Sequence, residues 1–203
     1  MSTTCLTQQL QGKPVISVTN GEIVGKVLDV LIDPAALRVA AAVTSKGKML
    51  GRQREIDVIP GDKVQVWGQD AVLVNQPDVI VKDSELPGRE TWLSVADQIK
   101  GHSVIGTDGR RIGQLNDVVI DVNGQFVGYD LVQPFVPGGD KAQAIKQIPA
   151  ETTSVLGQDV LIVVLSQLEQ LLLIEEPPQV DEILEVEEPL RAEDLIVDEE
   201  APP

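Results

Sequence analysis

The sequence predicts a mainly β protein: two small antiparallel barrels in tandem, followed by a short helix and an acidic tail. Three observations lead to this prediction. One pattern of motifs occurs twice, each copy consists of short apolar runs separated by turn signals, and acidic residues concentrate near the C-terminus. The chain has only two Trp, one Tyr and two Phe, so its core must be mostly Val, Ile, Leu and Ala. Val and Ile favour strands because their branched side chains are stiff.

The duplication extends over most of the chain. Leu10–Ile16 (LQGKPVI) is matched 89 residues later by Ile99–Ile105 (IKGHSVI). Ile23–Asp33 then aligns with Ile112–Asp121, with one residue lost after Ile23. Further matches restore the spacing of 89: Ile59-Pro60 with Ile148-Pro149, and Trp67–Val74 with Leu156–Val163. Because the matching features keep the same order, we infer an internal repeat of one structural unit.

Turn signals divide each copy into short strands. Thr19-Asn20-Gly21 in the first copy and Thr107-Asp108-Gly109 in the second lie between apolar runs. Asn-Gly and Asp-Gly favour tight hairpins because both turn positions require positive φ angles. About five or six strands per copy predict a closed or nearly closed barrel, since closure removes exposed sheet edges.

These patterns place the first barrel at residues 1–76, a linker containing Pro77, Pro87 and Gly88 at 77–96, and the second barrel at 97–166. Residues 167–203 are predicted to complete a short helix that begins at Ser166, and then to form a disordered tail. From residue 169 onward there are 13 acids and one base, while residues 1–168 hold 19 acids and 15 bases. Apolar residues set among the tail acids suit a segment that orders on a partner, and a merely solubilising tail is the alternative.

The order of these motifs resembles the PRC-barrel family. A typical phrase of that family is glycine, two residues, an apolar residue, Asp, and then apolar residues ending in Ile-Asp, as in Gly25–Asp33. An Ile-Pro before the last strands is also typical. The residues that carry the resemblance are Gly12, Val15-Ile16, Asn20-Gly21, Ile23, Gly25–Asp33 and Ile59-Pro60, with Gly101, Val104-Ile105, Asp108-Gly109, Ile112-Gly113, Asp117–Asp121 and Ile148-Pro149.

The resemblance implies a compact, largely antiparallel barrel. Its best-known members are the cytoplasmic domain of the photosynthetic reaction centre H subunit and the C-terminal domain of a ribosome maturation factor, and both bind other proteins. The family has no shared catalytic residues. Tandem barrels with acidic tails look most like stand-alone proteins of photosynthetic bacteria such as cyanobacteria. The link to photosynthetic bacteria is made by analogy, because a fold does not by itself determine a function.

On this basis the chain is predicted to be a non-catalytic scaffold or adaptor, in the assembly or regulation of a photosynthetic membrane complex. A ribosome- or RNA-associated maturation factor is the alternative, although the net charge of −16 argues against nucleic acid as the main ligand. A third reading, an enzyme or small-ligand binder, would need a buried polar pocket. The candidate partner-binding residues are the basic Lys46, Lys48, Arg52 and Arg54, with Phe135, Leu195 and Ile196.

No catalytic, metal or cofactor site is predicted. Asp29 and Asp33, like Asp117 and Asp121, would lie about 13 Å apart on one strand face, too far to share an ion. Asp33 and Asp121 are instead expected to cap their own turns. The one histidine, His102, is expected to be an exposed loop residue, since a zinc site needs several further ligands.

The expected location is the cytoplasm, with any membrane association made indirectly through a protein partner. The N-terminal residues show no signal-peptide pattern, and the longest strongly apolar run, Val160–Leu165, is too short to span a bilayer. A single cysteine, Cys5, excludes an intrachain disulfide. The sequence leaves the oligomeric state open.

Overall fold

The computed structural model describes residues 4–45, 49–50, 53–54, 56–136 and 145–174. Its secondary structure is mostly strand, as the sequence predicts. The strands are β1 (Thr4–Leu6), β2 (Pro14–Ser17), β3 (Ile23–Lys26), β4 (Asp29–Asp33), β5 (Arg38–Ser45), β6 (Met49–Leu50), β7 (Gln53–Arg54), β8 (Asp57–Pro60), β9 (Val64–Trp67), β10 (Val72–Val74), β11 (Val81–Lys82), β12 (Leu93–Ser94), β13 (Ser103–Gly106), β14 (Arg111–Asp121), β15 (Phe126–Phe135), β16 (Ile145–Pro149), β17 (Thr153–Leu156) and β18 (Val160–Val163). The α-helices are α1 (Thr7–Leu10) and α2 (Leu165–Ile174), and Val95–Ile99 forms a π-helical turn.

The two copies have the same strand order. In the second module it is β16-β15-β14-β13-β18-β17. The first module has β8-β5-β4 and β3-β2-β10-β9, so β3 and β4 together correspond to the long β14. Neighbouring strands are antiparallel except for one parallel pair in each module, β2 with β10 and β13 with β18. The parallel pair arises because the last strand returns beside the first.

Hydrogen bonds show that the one-residue difference in length between the two copies lies in the first turn of the module. The Ser17 amide donates to the Glu22 carbonyl (2.9 Å), and the Gly106 amide donates to the Arg110 carbonyl (2.8 Å). Ser17 and Gly106 occupy the same place, so Glu22 corresponds to Arg110. The structural counterpart of Ile23 is therefore Arg111. The sequence alignment of Ile23 with Ile112 was wrong because it followed apolar character rather than turn length.

Residues 77–96, predicted as a linker, are built into the sheet of the first module. β11 pairs with β8 and β12 pairs with β4. Val81, Leu86 and Trp92 of this segment pack on a small apolar cluster on that sheet. The cluster consists of Leu31, Ala41, Val43 and Val58.

The segments that precede the two modules are exchanged between them. β1, which precedes the first module, pairs with β14 of the second, with Cys5 opposite Ile120. β12, which precedes the second module, pairs with β4 of the first, with Leu93 opposite Ile32. We call β1 with α1, and β12 with the π-helical turn, the two exchanged arms. Each arm extends a sheet of the other module.

One hydrophobic core runs through both modules. Its buried members include Val15, Ile59 and Trp67 from the first module and Leu115 and Tyr129 from the second. The exchanged arms contribute Leu10 and Ile99, which have no exposed surface. The helix predicted from Ser166 to Ile174 is present as α2, and its Leu165 and Leu168 are buried in the same core.

Candidate interaction surfaces

Two buried aspartates hold the exchanged arms. Asp117 of β14 accepts hydrogen bonds from the Thr7 hydroxyl and from the Gln8 amide (2.9 Å) at the start of α1. Asp29 of β4 accepts from the Ser94 hydroxyl and from the Ala96 amide (3.2 Å). Amides at the start of a helical turn lack partners within the turn, so a carboxylate there satisfies them. Each module therefore fixes the arm of the other through one carboxylate.

Burial is the main influence on the pKa of the Asp117 carboxyl. It raises the pKa of Asp117 above its ordinary value, while hydrogen bonds from Thr7, Gln8 and Val118 act in the opposite direction. The pKa of the buried Cys5 thiol on the same arm is also raised, by burial and by the charge of Asp117. A thiol held in its neutral form is a poor nucleophile, so the raised pKa favours a structural role for Cys5.

A cleft of about 240 Å³ lies between the exchanged arms. Its polar lining includes Gln8, Gln11, Asp29, Lys100, Asn116 and Asp117. Both carboxylates already accept hydrogen bonds from the arms, and Asn116 donates to Asp130 (2.6 Å). Within the described residues no three His, Cys, Asp or Glu side chains are grouped as a metal site would require. The cleft is best explained as the junction of the arms.

The other two aspartates cap turns, as predicted. Asp33 accepts from the Ala35 and Ala36 amides at 3.0 and 3.1 Å. Asp121 accepts from the Asn123 and Gln125 amides at 2.8 and 2.9 Å. These bonds fix the turns that lead into β5 and β15.

His102 does not lie on the surface, contrary to prediction. It is 9% exposed, and its Nδ1 has no hydrogen-bond partner. Burial lowers the pKa of the imidazole, and this outweighs the Asp159 charge and a backbone hydrogen bond with Gln158. The neutral ring is therefore the favoured form in the folded chain. Sequence context indicated a loop but gave no sign that the second module packs over it.

The turns that Asp33 and Asp121 cap meet each other across the two modules. Arg38 and Gln125 form an antiparallel bridge. The Val39 amide donates to the Gly124 carbonyl (2.8 Å), and the Phe126 amide donates to the Leu37 carbonyl (3.0 Å). These reciprocal bonds relate the modules by an approximate twofold axis.

An apolar row crosses the outer face of the first module. Register places Ile23 opposite Ile16, Ile16 opposite Leu73, and Leu73 opposite Val66. Residues opposite each other lie on one face of a sheet, so the four side chains form a continuous row across β3-β2-β10-β9. Ile23 is 64% exposed, and Val18, which follows β2, is 50% exposed. We call Ile16, Val18, Ile23, Val66 and Leu73 the apolar row.

The second module has a shorter version of this row. Ile105 lies opposite Ile162, and Ile162 lies opposite Val155, which is 51% exposed. At the far end, however, Arg111 replaces Ile23. Thr107 replaces Val18, because the amides of both residues donate to the end of the neighbouring strand. The duplicated frame thus presents two chemically different faces.

Of the predicted partner-binding residues, the structure describes the side chain of Phe135 alone. Lys46, Lys48, Arg52, Leu195 and Ile196 lie outside the described residues. Arg54 lies in β7, and its side chain is also outside the described part. Phe135 ends β15, where it is half-buried and packs against the core. Their role in binding stays a prediction.

The apolar row was missed at the sequence level, although a signal for it exists. The run Val15-Ile-Ser-Val18 has apolar side chains on both faces of a strand. Alternation would leave one face polar if that face met only water. Only the register, which joins Ile16 to Leu73 and Ile23, turns separate apolar residues into one surface.

A family model for the PRC-barrel domain matches residues 6–80 and 95–165. The chain belongs to the PRC-barrel family. The two matched segments coincide with the two modules, so the protein is a tandem PRC barrel, as the resemblance implied. PRC-barrel domains generally mediate protein interactions. No curated protein matches the chain. Among the described residues, no helix has the length and apolar character to cross a membrane.

Proposed function

We propose that this tandem PRC-barrel protein is a non-catalytic scaffold that binds a protein partner through the apolar row of its first module. The carrying observation is the exposure of Ile23 and Val18 at one end of that row. Exposed apolar side chains that adjoin one another favour protein contacts, because their burial releases water. The equivalent end of the second module carries Arg111 and Thr107, so the two faces would not bind the same surface.

The setting we propose is the assembly or regulation of a photosynthetic membrane complex. Its support is the resemblance to the reaction centre H subunit domain and to stand-alone tandem barrels of photosynthetic bacteria. The protein would act in the cytoplasm and reach a membrane only through its partner. Neither a cofactor nor a metal is needed for this role.

The test exchanges the distinctive residues of one module for those of the other. V18T/I23R places the residues of the second module on the first, at positions with equivalent strand pairing and main-chain hydrogen bonds. Affinity capture from source cells, followed by mass spectrometry, should recover a partner with the wild-type chain and lose it with this variant. V155T, which alters the row of the second module, is the matched control and should retain the partner.

Undiminished capture by V18T/I23R would overturn the assignment to the apolar row. The RNA-associated alternative makes a different prediction. It requires co-sedimentation with ribosomal subunits at low salt that is lost when Lys46, Lys48, Arg52 and Arg54 are replaced together.

A further inference from the structure

The outer edge of β8 in the first module is covered by a short strand from the chain that follows. β11 pairs with it antiparallel, with Val81 opposite Val58 and Lys82 opposite Asp57. Across this pair, Lys82 Nζ lies 2.6 Å from Asp57 Oδ1. The next residue, Asp83, accepts a hydrogen bond from the Ile56 amide (3.2 Å). Register, an ion pair and a cap therefore fix β11 on the edge.

The equivalent strand of the second module, β16, has no such cover among the described residues. β16 pairs with β15 on one side only. Ile148-Pro149 corresponds to Ile59-Pro60, so Lys146 occupies the place of Asp57, with the opposite charge. Lys146 and its neighbour Gln147 are exposed. Open strand edges readily pair with another strand.

The acidic tail contains a close match to the five residues that end in β11. Asp78-Val-Ile-Val-Lys82 in the first module is paralleled by Asp194-Leu-Ile-Val-Asp198 in the tail. The one reversal of charge, Lys82 to Asp198, is the complement of the reversal from Asp57 to Lys146. Glu199 follows Asp198 as Asp83 follows Lys82. The amide that Asp83 caps belongs to Ile56, and its counterpart in the second module is the amide of Ile145.

We propose that Asp194–Asp198 is the counterpart of Asp78–Lys82, and that its last two residues pair within the same chain with the outer edge of β16, as β11 pairs with β8. In this register Val197 lies opposite Gln147, and Asp198 pairs with Lys146. The 19 residues between Ile174 and Asp194 reach about 60 Å when extended, enough to cross a small domain. The tail then shields an edge that would otherwise accept a strand from another protein.

This inference does not depend on the proposed partner binding by the first module. It concerns a different module, and its test needs no partner. A partner strand that pairs with β16 must displace the tail, so the tail limits access to that edge.

The charge reversal provides a direct test in the full chain. K146D and D198K each place like charges opposite one another, whereas K146D/D198K restores the arrangement seen between Asp57 and Lys82. Hydrogen exchange followed by mass spectrometry should show residues 194–198 protected at least about tenfold in the wild type. Each single variant should lose that protection and the double variant should regain it. Equal exchange in all four proteins would overturn the proposal.

Cysteine cross-linking distinguishes pairing within one chain from pairing between two. In Q147C/V197C the new cysteines lie opposite each other, at a separation that a disulfide can bridge. Oxidation should give a monomer of altered mobility on a non-reducing gel. Q147C/V186C, which uses another apolar position of the tail, is the control and should cross-link far less. A cross-linked dimer would show a second copy as the occupant, and equal cross-linking of both pairs would show no specific docking; either overturns the proposal.

Discussion

Single side chains fix the relation between the two modules. Asp29 and Asp117 occupy equivalent places in the repeat, and each accepts hydrogen bonds from the arm of the other module. The two copies therefore use the same residue type for the same contact. Ser94 also accepts from the Asp97 amide (2.9 Å), so one hydroxyl caps its own turn and binds Asp29. Tertiary packing buries His102, which the sequence predicted to be exposed, and lowers the pKa of its imidazole.

Protonation of His102 should destabilise the fold. Because its pKa is lower in the folded chain than in the unfolded chain, the unfolded state binds more protons as pH falls below about 6.5. The free energy of unfolding contributed by this residue is therefore fully present above that pH and decreases on acidification, down to the folded pKa. Urea denaturation of the wild type and of H102Q across this range should show a steeper decrease for the wild type. Parallel curves would contradict the assignment.

At the level of secondary structure, the helical turn of the second exchanged arm is one residue longer than that of the first. α1 has four residues and the π-helical turn has five, yet both begin beside an equivalent aspartate. The Leu6 amide donates to the Gln9 side chain (3.0 Å), and the Ser94 amide donates to that of Gln98 (2.9 Å). The longer turn therefore closes around the added residue without loss of the cap. The turns at Gly124 and Leu37 then join the modules directly.

Gly124 should be the more sensitive of two glycines in similar turns. Gly124 and Gly109 have φ angles of +78° and +83°, but an added Cβ at Gly124 would lie 2.6 Å from Trp67 Nε1, whereas at Gly109 it meets nothing within 4 Å. G109A should cost about 1–2 kcal/mol from backbone strain alone. G124A should cost a further 1–3 kcal/mol or so, since Trp67 must move. Denaturant titration measures both, and equal losses would contradict a close contact between Trp67 and the turn.

Across the whole molecule, the two PRC barrels form one structural unit. They share a core, exchange arms and bond reciprocally through the Arg38–Gln125 bridge. Separate modules would expose the edges that β1 and β12 now cover, together with the apolar side chains of Leu10 and Ile99. This arrangement also presents two unlike outer faces on one structural unit, which suits the proposed scaffold role.

The two barrels should consequently unfold together. Differential scanning calorimetry of the full chain should give one transition with equal calorimetric and van't Hoff enthalpies. A fragment of residues 97–203, which lacks β1 and the first module, should not fold to a native-like state by circular dichroism and amide exchange. Two resolved transitions, or a stably folded fragment, would show that the modules are independent.

The duplicated β framework, the turn-capping roles of Asp33 and Asp121, and α2 could be predicted from the sequence, because they depend on local turn chemistry and on the periodicity of apolar residues. The exchange of arms, the burial of His102 and the apolar row could not be predicted in this way. Each depends on contacts between residues far apart in the chain, such as Thr7 with Asp117 or Ile16 with Leu73. Composition does not encode which module an arm will pair with, since both edges offer similar Val and Ile side chains.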